Sequence, residues 1–218
     1  MNRKLLFSVL FAALTVIASA TAEARSPYAG RYRIANGPDT GGGLELNADG
    51  HFRYSLSEGA LDEHAEGMWT ESGGDIRLTT APKPVPPSFT RGPDGSPDGD
   101  GEAPTIYVRL ADGRDLAGID FRLGLSNGTS MAGYTQAEGW RFPEDDDLRI
   151  AWVEVVEPIY GVVSPRFVID PPATGALVFV LTPNDIEVVD FQNAQLERQS
   201  DEFLLHRGDR ILRVVREK

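Results

Sequence analysis

The strongest constraint on this chain is an alternation of apolar and polar residues between Gly42 and Thr80. Within 44–47 and again within 51–56, every second residue is apolar. Because neighbouring side chains of a strand point to opposite faces, a period of two predicts strands with one buried side. Asp49-Gly50 and Gly73-Gly74 separate the runs and are typical of hairpin turns. We therefore predict an antiparallel meander here.

Short apolar runs of the same kind continue to the C-terminus. They predict strands at 105–110, 116–125, 148–156, 166–169 and 176–181, and up to four more at 186–188, 194–197, 202–206 and 209–216. Pro and Gly interrupt the chain too often for a long amphipathic helix. The predicted fold class is all-β, with an antiparallel meander or barrel and a small β-sandwich.

The predicted organisation has five parts. They are a signal peptide at 1–24, the meander at 25–82, a linker at 83–104, the sandwich at 105–182 and C-terminal strands at 183–218. The linker assignment follows from its density of Pro, Gly and Asp, which is typical of a loop or spacer. The sequence leaves open whether the sandwich is inserted into a barrel that 183–218 completes or follows a separate sheet.

The N-terminus carries the pattern of a secretory leader. The bases Arg3 and Lys4 precede an apolar run from Leu5 to Ala18, and small residues follow up to Ala24. We expect cleavage there, a periplasmic or extracellular location and no membrane span in the mature chain. The chain has no cysteine, so a secreted form depends on its core rather than on disulfides.

The formal net charge of −12 restricts the partners of this chain. A strongly acidic protein is repelled by phosphate backbones, which disfavours nucleic acid as a ligand. No motif predicts a cofactor. A protein partner or a small ligand is expected instead, and the oligomeric state is not indicated.

Two resemblances to known families are carried by short motifs. The first motif runs from Gly30 to Leu78 and has the pattern G-x-Y … L-x-L-x-x-D-G-x-F-x-Y … G-x-W … I-x-L. It resembles that of bacterial lipocalin-like domains, which implies a β-barrel. It carries no implied ligand, since the Gly-x-Trp pair lies late in the motif rather than on the first strand. The residues that carry this resemblance are Gly30, Tyr32, Leu44, Leu46, Asp49, Gly50, Phe52, Tyr54, Gly67, Trp69, Ile76 and Leu78.

The second resemblance lies in the predicted sandwich. The rhythm of 116–121, 133–135 and 138–140 resembles carboxypeptidase regulatory-like and transthyretin-like domains. That resemblance implies a small Ig-like β-sandwich of a kind that is usually non-catalytic.

Aromatic residues are the candidate ligand-binding groups. Trp69, Trp140, Trp152 and Tyr54 could line a cleft, but each lies in or beside a strand pattern, so core packing is the competing interpretation.

Metal-binding candidates fall in three acidic stretches. The first lies in and after a loose connection predicted at 58–63, where His64 stands between Asp62 and Glu66. In the linker, Asp94, Ser96, Asp98 and Gly99 fit positions one, three, five and six of a calcium loop, and Asp100 is a further candidate ligand, but the twelfth position, which needs a bidentate Glu, is Thr105. The run 144–147 is a weaker calcium candidate, and solvated loops are the alternative for all three stretches.

The leading functional hypothesis is a secreted, non-enzymatic protein that binds a protein partner or a small ligand. No catalytic residue is predicted, because the chain lacks Cys and a Gly-x-Ser-x-Gly motif. The alternatives are a periplasmic hydrolase that uses carboxylates with His64 or His51, and a divalent-cation-binding module. A concave cluster of two carboxylates and a histidine would favour the hydrolase, whereas histidines scattered on outer faces would favour the binding module.

Overall fold

The computed structural model of the chain describes residues 26–93, 103–143, 147–170, 175–208 and 210–218. The regular structure in these ranges consists of seventeen strands. The first nine are β1 (Gly30–Ile34), β2 (Thr40–Leu46), β3 (His51–Glu58), β4 (Leu61–Ser72), β5 (Asp75–Thr80), β6 (Ser88–Arg91), β7 (Thr105–Leu110), β8 (Asp120–Leu125) and β9 (Ser130–Tyr134). The others are β10 (Trp140–Arg141), β11 (Ile150–Glu157), β12 (Val162–Val163), β13 (Phe167–Val168), β14 (Ala176–Thr182), β15 (Ala194–Gln199), β16 (Glu202–Arg207) and β17 (Arg210–Arg216).

Eight of these strands close into an antiparallel barrel, in the order β1–β17–β16–β15–β5–β4–β3–β2. The closing pair joins β1 to β17, with Tyr32 opposite Arg216 and Ile34 opposite Val214. The strands after residue 193 thus complete the barrel that the first five begin, and β6 to β14 are inserted between β5 and β15. This topology resolves the alternative that the sequence left open.

Inward-pointing side chains fill the barrel. On β3 the alternation predicted from sequence is confirmed, because Phe52, Tyr54 and Leu56 are buried and the residues between them are exposed. Phe191, from the segment between β14 and β15, enters the same core and lies edge-on to Phe52 and Tyr54. The interior is therefore a packed core, as small eight-stranded barrels allow.

One connection differs from its prediction. The stretch 58–63 is not a loose connection but a two-residue turn, so β4 begins at Leu61 and continues the alternation inward through Glu63 and Ala65. Gly41–Gly43 form part of β2. A Cβ on Gly42 would lie 2.2 Å from the Ser55 carbonyl oxygen, so this close approach of two strands requires glycine.

The inserted part has two further sheets that share one core. One has the order β10–β7–β14–β6, and the other has the order β12–β11–β8–β9 with β13 also paired to β11. Their facing side chains form a single apolar cluster that includes Phe121, Val153 and Phe179. This is a sandwich-like packing of two sheets, and one strand pair in it, β7 with β14, is parallel.

The predicted fold class is confirmed as all-β with an antiparallel barrel and sandwich-like sheets. Within the described ranges, no helix could cross a membrane. Four strands were not predicted, namely β9, the two-residue strands β10 and β12, and the short β6 that lies inside the stretch 83–104. The predicted strand at 186–188 is instead a single bridge between Val188 and His64. The signal-peptide assignment lies outside the described residues.

Candidate binding cleft

Two ion pairs close one mouth of the barrel. Glu58 and Glu63 flank the turn between β3 and β4, and both face inward by strand alternation. Their partners are Arg210 and Arg207, respectively, which flank the turn between β16 and β17. These two hairpins lie on opposite walls of the barrel, so both pairs span the mouth.

The Glu63–Arg207 pair is the more enclosed of the two. Both guanidinium nitrogens of Arg207 donate to the carboxylate of Glu63, one to each oxygen. The side chain of Glu63 is 6% exposed, whereas that of Arg207 is 26% exposed. A bidentate pair of this kind is among the stronger polar contacts in proteins, and its loss would leave Glu63 as a buried charge.

Tyr54 lies one layer deeper, beneath this pair. It is 3% exposed, and among the described residues its O–H donates to no acceptor, while the Arg207 guanidinium lies close to its oxygen. Burial raises the pKa of the Tyr54 hydroxyl to about 12, although the nearby Arg207 guanidinium acts in the opposite direction. A buried O–H without an acceptor is uncommon and calls for an explanation.

The two chain crossings between barrel and sandwich run side by side next to this mouth. The amide of Val85 donates to the Asp185 carboxylate at 2.7 Å, and the Asp185 amide donates to the Val85 carbonyl at 3.1 Å. The returning segment then passes along β4, where the His64 amide donates to the Glu187 carbonyl at 3.0 Å. These contacts hold both crossings in defined positions beside the barrel mouth.

A cleft of about 430 Å³ lies between the mouth, the crossings and the sandwich. Glu63 and Arg207 line its barrel side, and Tyr160 lines its sandwich side. The Tyr160 hydroxyl donates to the Asp62 carbonyl at 3.2 Å and so joins the two sides. The crossings contribute the residues at 83–87 and 185–190.

The walls of this cleft combine apolar and charged groups. Three prolines, Ile186 and Val188 line it, together with Val85, which is 56% exposed. Lys83 and Arg207 bring positive charge, while Glu63, Glu187 and two aspartates bring negative charge. Concave, mainly apolar surfaces with a few fixed polar groups are the usual form of ligand sites.

The predicted aromatic residues do not meet in one place. Trp69 is buried in the barrel, where its indole N–H donates to the Asn47 carbonyl at 2.9 Å. Trp140 packs against Phe121 in the sandwich, with the ring centroids 4.9 Å apart.

Trp152 covers the outer side of the sandwich, where an added Cβ on Gly124 would overlap its indole. The guanidinium of Arg166 lies 4.2 Å from that indole. Of the four candidates only Tyr54 lies close to the cleft, in the layer of the barrel core beneath Glu63 and Arg207.

The predicted metal ligands on β4 lie on its outer face rather than in a loop. Asp62, His64 and Glu66 occupy alternate positions, so about 7 Å of strand separates each from the next. Glu66 stands opposite Arg53 of β3, and the hydroxyl of Ser57 donates to Asp62. Among the described residues, no group of three His, Asp or Glu is arranged to hold a metal. Asp94, Asp98, Asp100 and 144–146 lie outside the described residues.

The three histidines also lie apart, on the outer wall of the barrel. His51 lies 3.3 Å from the Asp49 carboxylate, and His206 lies 2.8 Å from that of Glu197. None of them lines the cleft. The arrangement that a carboxylate hydrolase with His51 or His64 requires is not found in the described part of the chain.

Glu63 and Arg207 were missed by the sequence reasoning. The missing signal was the alternation of Glu63, Ala65, Gly67 and Trp69, which becomes visible once β4 is extended toward its N-terminus. An acid at an inward position requires a cation, and Arg207 holds the matching place after Phe203 and Leu205 on β16. Tyr160 and the crossing segments carry no such local signal, because distant contacts place them.

Comparison of the chain with protein-family models, with curated proteins and with solved structures finds no match.

Proposed function

We propose that this protein is a secreted or periplasmic binding protein without enzymatic activity, and that it holds a protein partner or a small ligand in the cleft. The observation that carries this proposal is the cleft itself. It is bounded by both parts of the molecule, and it joins exposed apolar side chains to charges of both signs. The dispersed histidines also favour binding over hydrolysis, since none of the described residues that line the cleft is a histidine.

A blocking variant tests this proposal. Val85→Trp places a large side chain in the cleft at a position already 56% exposed, so we expect the fold to tolerate it. Wild-type protein and this variant are immobilised and exposed to periplasmic extract, and retained proteins and small molecules are identified by mass spectrometry. We expect the wild type to retain a component that Val85→Trp loses.

The matched control is Ile211→Trp. Ile211 is 52% exposed on β17 and does not line the cleft. It should retain the same component as the wild type. Equal retention by all three proteins, or no retention by any of them, would contradict binding in the cleft.

A further inference from the structure

The Tyr54 hydroxyl indicates which chemical group the cleft receives. Tyr54 on β3 and Glu63 on β4 point into the barrel from adjacent strands, in diagonal register, since Tyr54 pairs with Ala65 and Leu56 pairs with Glu63. Diagonal neighbours of this kind are within reach of long side chains. The hydroxyl therefore lies in the layer directly beneath the Glu63 carboxylate, which is paired with Arg207 and keeps further lone pairs free.

The two members of the ion pair differ in exposure. The side chain of Glu63 is almost fully buried, whereas that of Arg207, at the end of β16, is 26% exposed. A ligand that enters the cleft therefore meets Arg207 first. Guanidinium groups bind carboxylates in a bidentate manner, so an incoming carboxylate can compete with Glu63 for Arg207.

That exchange would normally be opposed by the cost of leaving Glu63 without a partner. A second donor beneath it offsets part of this cost, because a neutral O–H supplies a hydrogen bond but no positive charge. Tyr54 is placed to serve as this donor, since its O–H has no acceptor among the described residues.

We propose that the cleft binds a carboxylate attached to an apolar group, that Arg207 turns from Glu63 to the ligand, and that Tyr54 then donates to Glu63. Lys83 adds a second positive charge to the cleft, and the prolines with Val85 receive the apolar part. Glu187 suits a cationic group on the same ligand, as in a peptide with a free C-terminus. This inference rests on the proposed function and adds the ligand class.

Isothermal titration calorimetry with the mature protein tests the exchange. The probes are a short apolar peptide with a free C-terminus, the same peptide with an amidated C-terminus, and octanoate. We expect the free peptide to bind and amidation to weaken binding at least tenfold, because a charge-assisted hydrogen bond is lost. If octanoate binds as tightly as the free peptide, a carboxylate on an apolar chain is sufficient for binding and the peptide backbone is not required.

Tyr54→Phe separates the exchange from a purely structural role. This variant keeps the ring but removes the hydroxyl, so the ligand-free protein should be at least as stable as the wild type. Its affinity for the free peptide should fall about tenfold. The matched control is Tyr32→Phe, because Tyr32 is also 3% exposed in the barrel but its hydroxyl donates to the Tyr28 carbonyl. Tyr32→Phe should lose stability and keep the wild-type affinity.

Three results would overturn the inference: no binding of either carboxylate probe, equal binding of the amidated peptide, or wild-type affinity in Tyr54→Phe. They would leave the proposed function standing if Val85→Trp still loses a component that Ile211→Trp retains. Retention that is insensitive to Val85→Trp would contradict the proposed function, because binding would not then take place in the cleft.

Discussion

The barrel and the sandwich use the same strand pattern but end their sheets differently. Every barrel strand has a neighbour on each side, so the sheet has no free edge. The sandwich has two open sheets, with two-residue strands such as β10 and β12 at their margins. The sandwich also exposes more large apolar side chains than the barrel does. Those of the barrel are Met68 and Ile211, and those of the sandwich are Tyr134, Ile159, Val163 and Val168.

The two parts also hold their buried glutamates in different ways. Glu63 is held by Arg207 from the opposite wall of the barrel. Glu157 of the sandwich accepts hydrogen bonds from the amides of Ile159 and Tyr160, in the turn that follows β11. Glu63 is thus fixed by a long-range contact, whereas Glu157 is fixed locally. Four predictions test these differences between the barrel and the sandwich.

The largest effect is expected at the two buried glutamates. Glu63→Gln removes the partner of Arg207 at the barrel mouth and should cost about 3 kcal/mol of the free energy of unfolding. Glu157→Gln should cost about 1 kcal/mol, since an amide oxygen can still accept from the turn. Urea unfolding of both variants measures the difference, and equal costs would contradict the contrast between long-range and local support.

The next effect concerns pH and the barrel core. Since the pKa of Tyr54 is about 12 in the folded protein, the folded state keeps its proton after the unfolded chain has lost it. This contribution is fully present below pH 10, where the ordinary phenol titrates, and is lost as pH rises toward 12, up to about 3 kcal/mol.

Unfolding free energies measured between pH 9.5 and 11.5 should therefore fall more steeply in the wild type than in Tyr54→Phe, by about 1.4 kcal/mol per pH unit at most. Parallel slopes for the two proteins would show that the hydroxyl is solvated.

A smaller effect is expected where the sandwich depends on one glycine. A Cβ on Gly124 would lie 1.8 Å from the indole nitrogen of Trp152, so Gly124→Ala should displace that ring at a cost of about 1–3 kcal/mol. Trp152 fluorescence should shift in the same variant. The control is Gly41→Ala in β2, where no atom lies within 4 Å of the added Cβ, and its stability should stay within about 0.5 kcal/mol of the wild type.

The smallest effect is expected on the outer face of the sandwich. Val168 is 78% exposed, so Val168→Ser should change the free energy of unfolding by less than about 0.5 kcal/mol. Thermal unfolding at several protein concentrations measures it. A loss above about 1 kcal/mol that grows with concentration would mean that another molecule covers this face.

The barrel was more predictable than the sandwich because its strands are joined by short hairpins. Alternation placed β3, and Gly73-Gly74 forms the predicted turn, with positive φ at both residues. At Asp49-Gly50 only Gly50 has positive φ, and four residues separate β2 from β3, so the turn position was right but its two-residue form was wrong.

The missed elements depend on distant contacts. Strand β6 lies among prolines and forms only because β14 pairs with it, and the edge strand β9 carries no strong alternation. Glu63 and Arg207, which line the barrel side of the cleft, were missed for a related reason. Glu63 looked like part of an acidic loop, and only its partner Arg207, far along the chain, makes its inward position stable. Tyr54 was predicted as a ligand residue from its aromatic ring, whereas its hydroxyl supports the present proposal.

Closure of the barrel by strands from both ends of the chain is the central claim, and solution NMR tests it most directly. Tyr32 stands opposite Arg216, and Ile34 opposite Val214, across the β1–β17 pair. We predict backbone nuclear Overhauser effects between these partners, as strong as those within the β16–β17 hairpin. Their absence, with the hairpin signals intact, would mean that the barrel is open and would contradict the account.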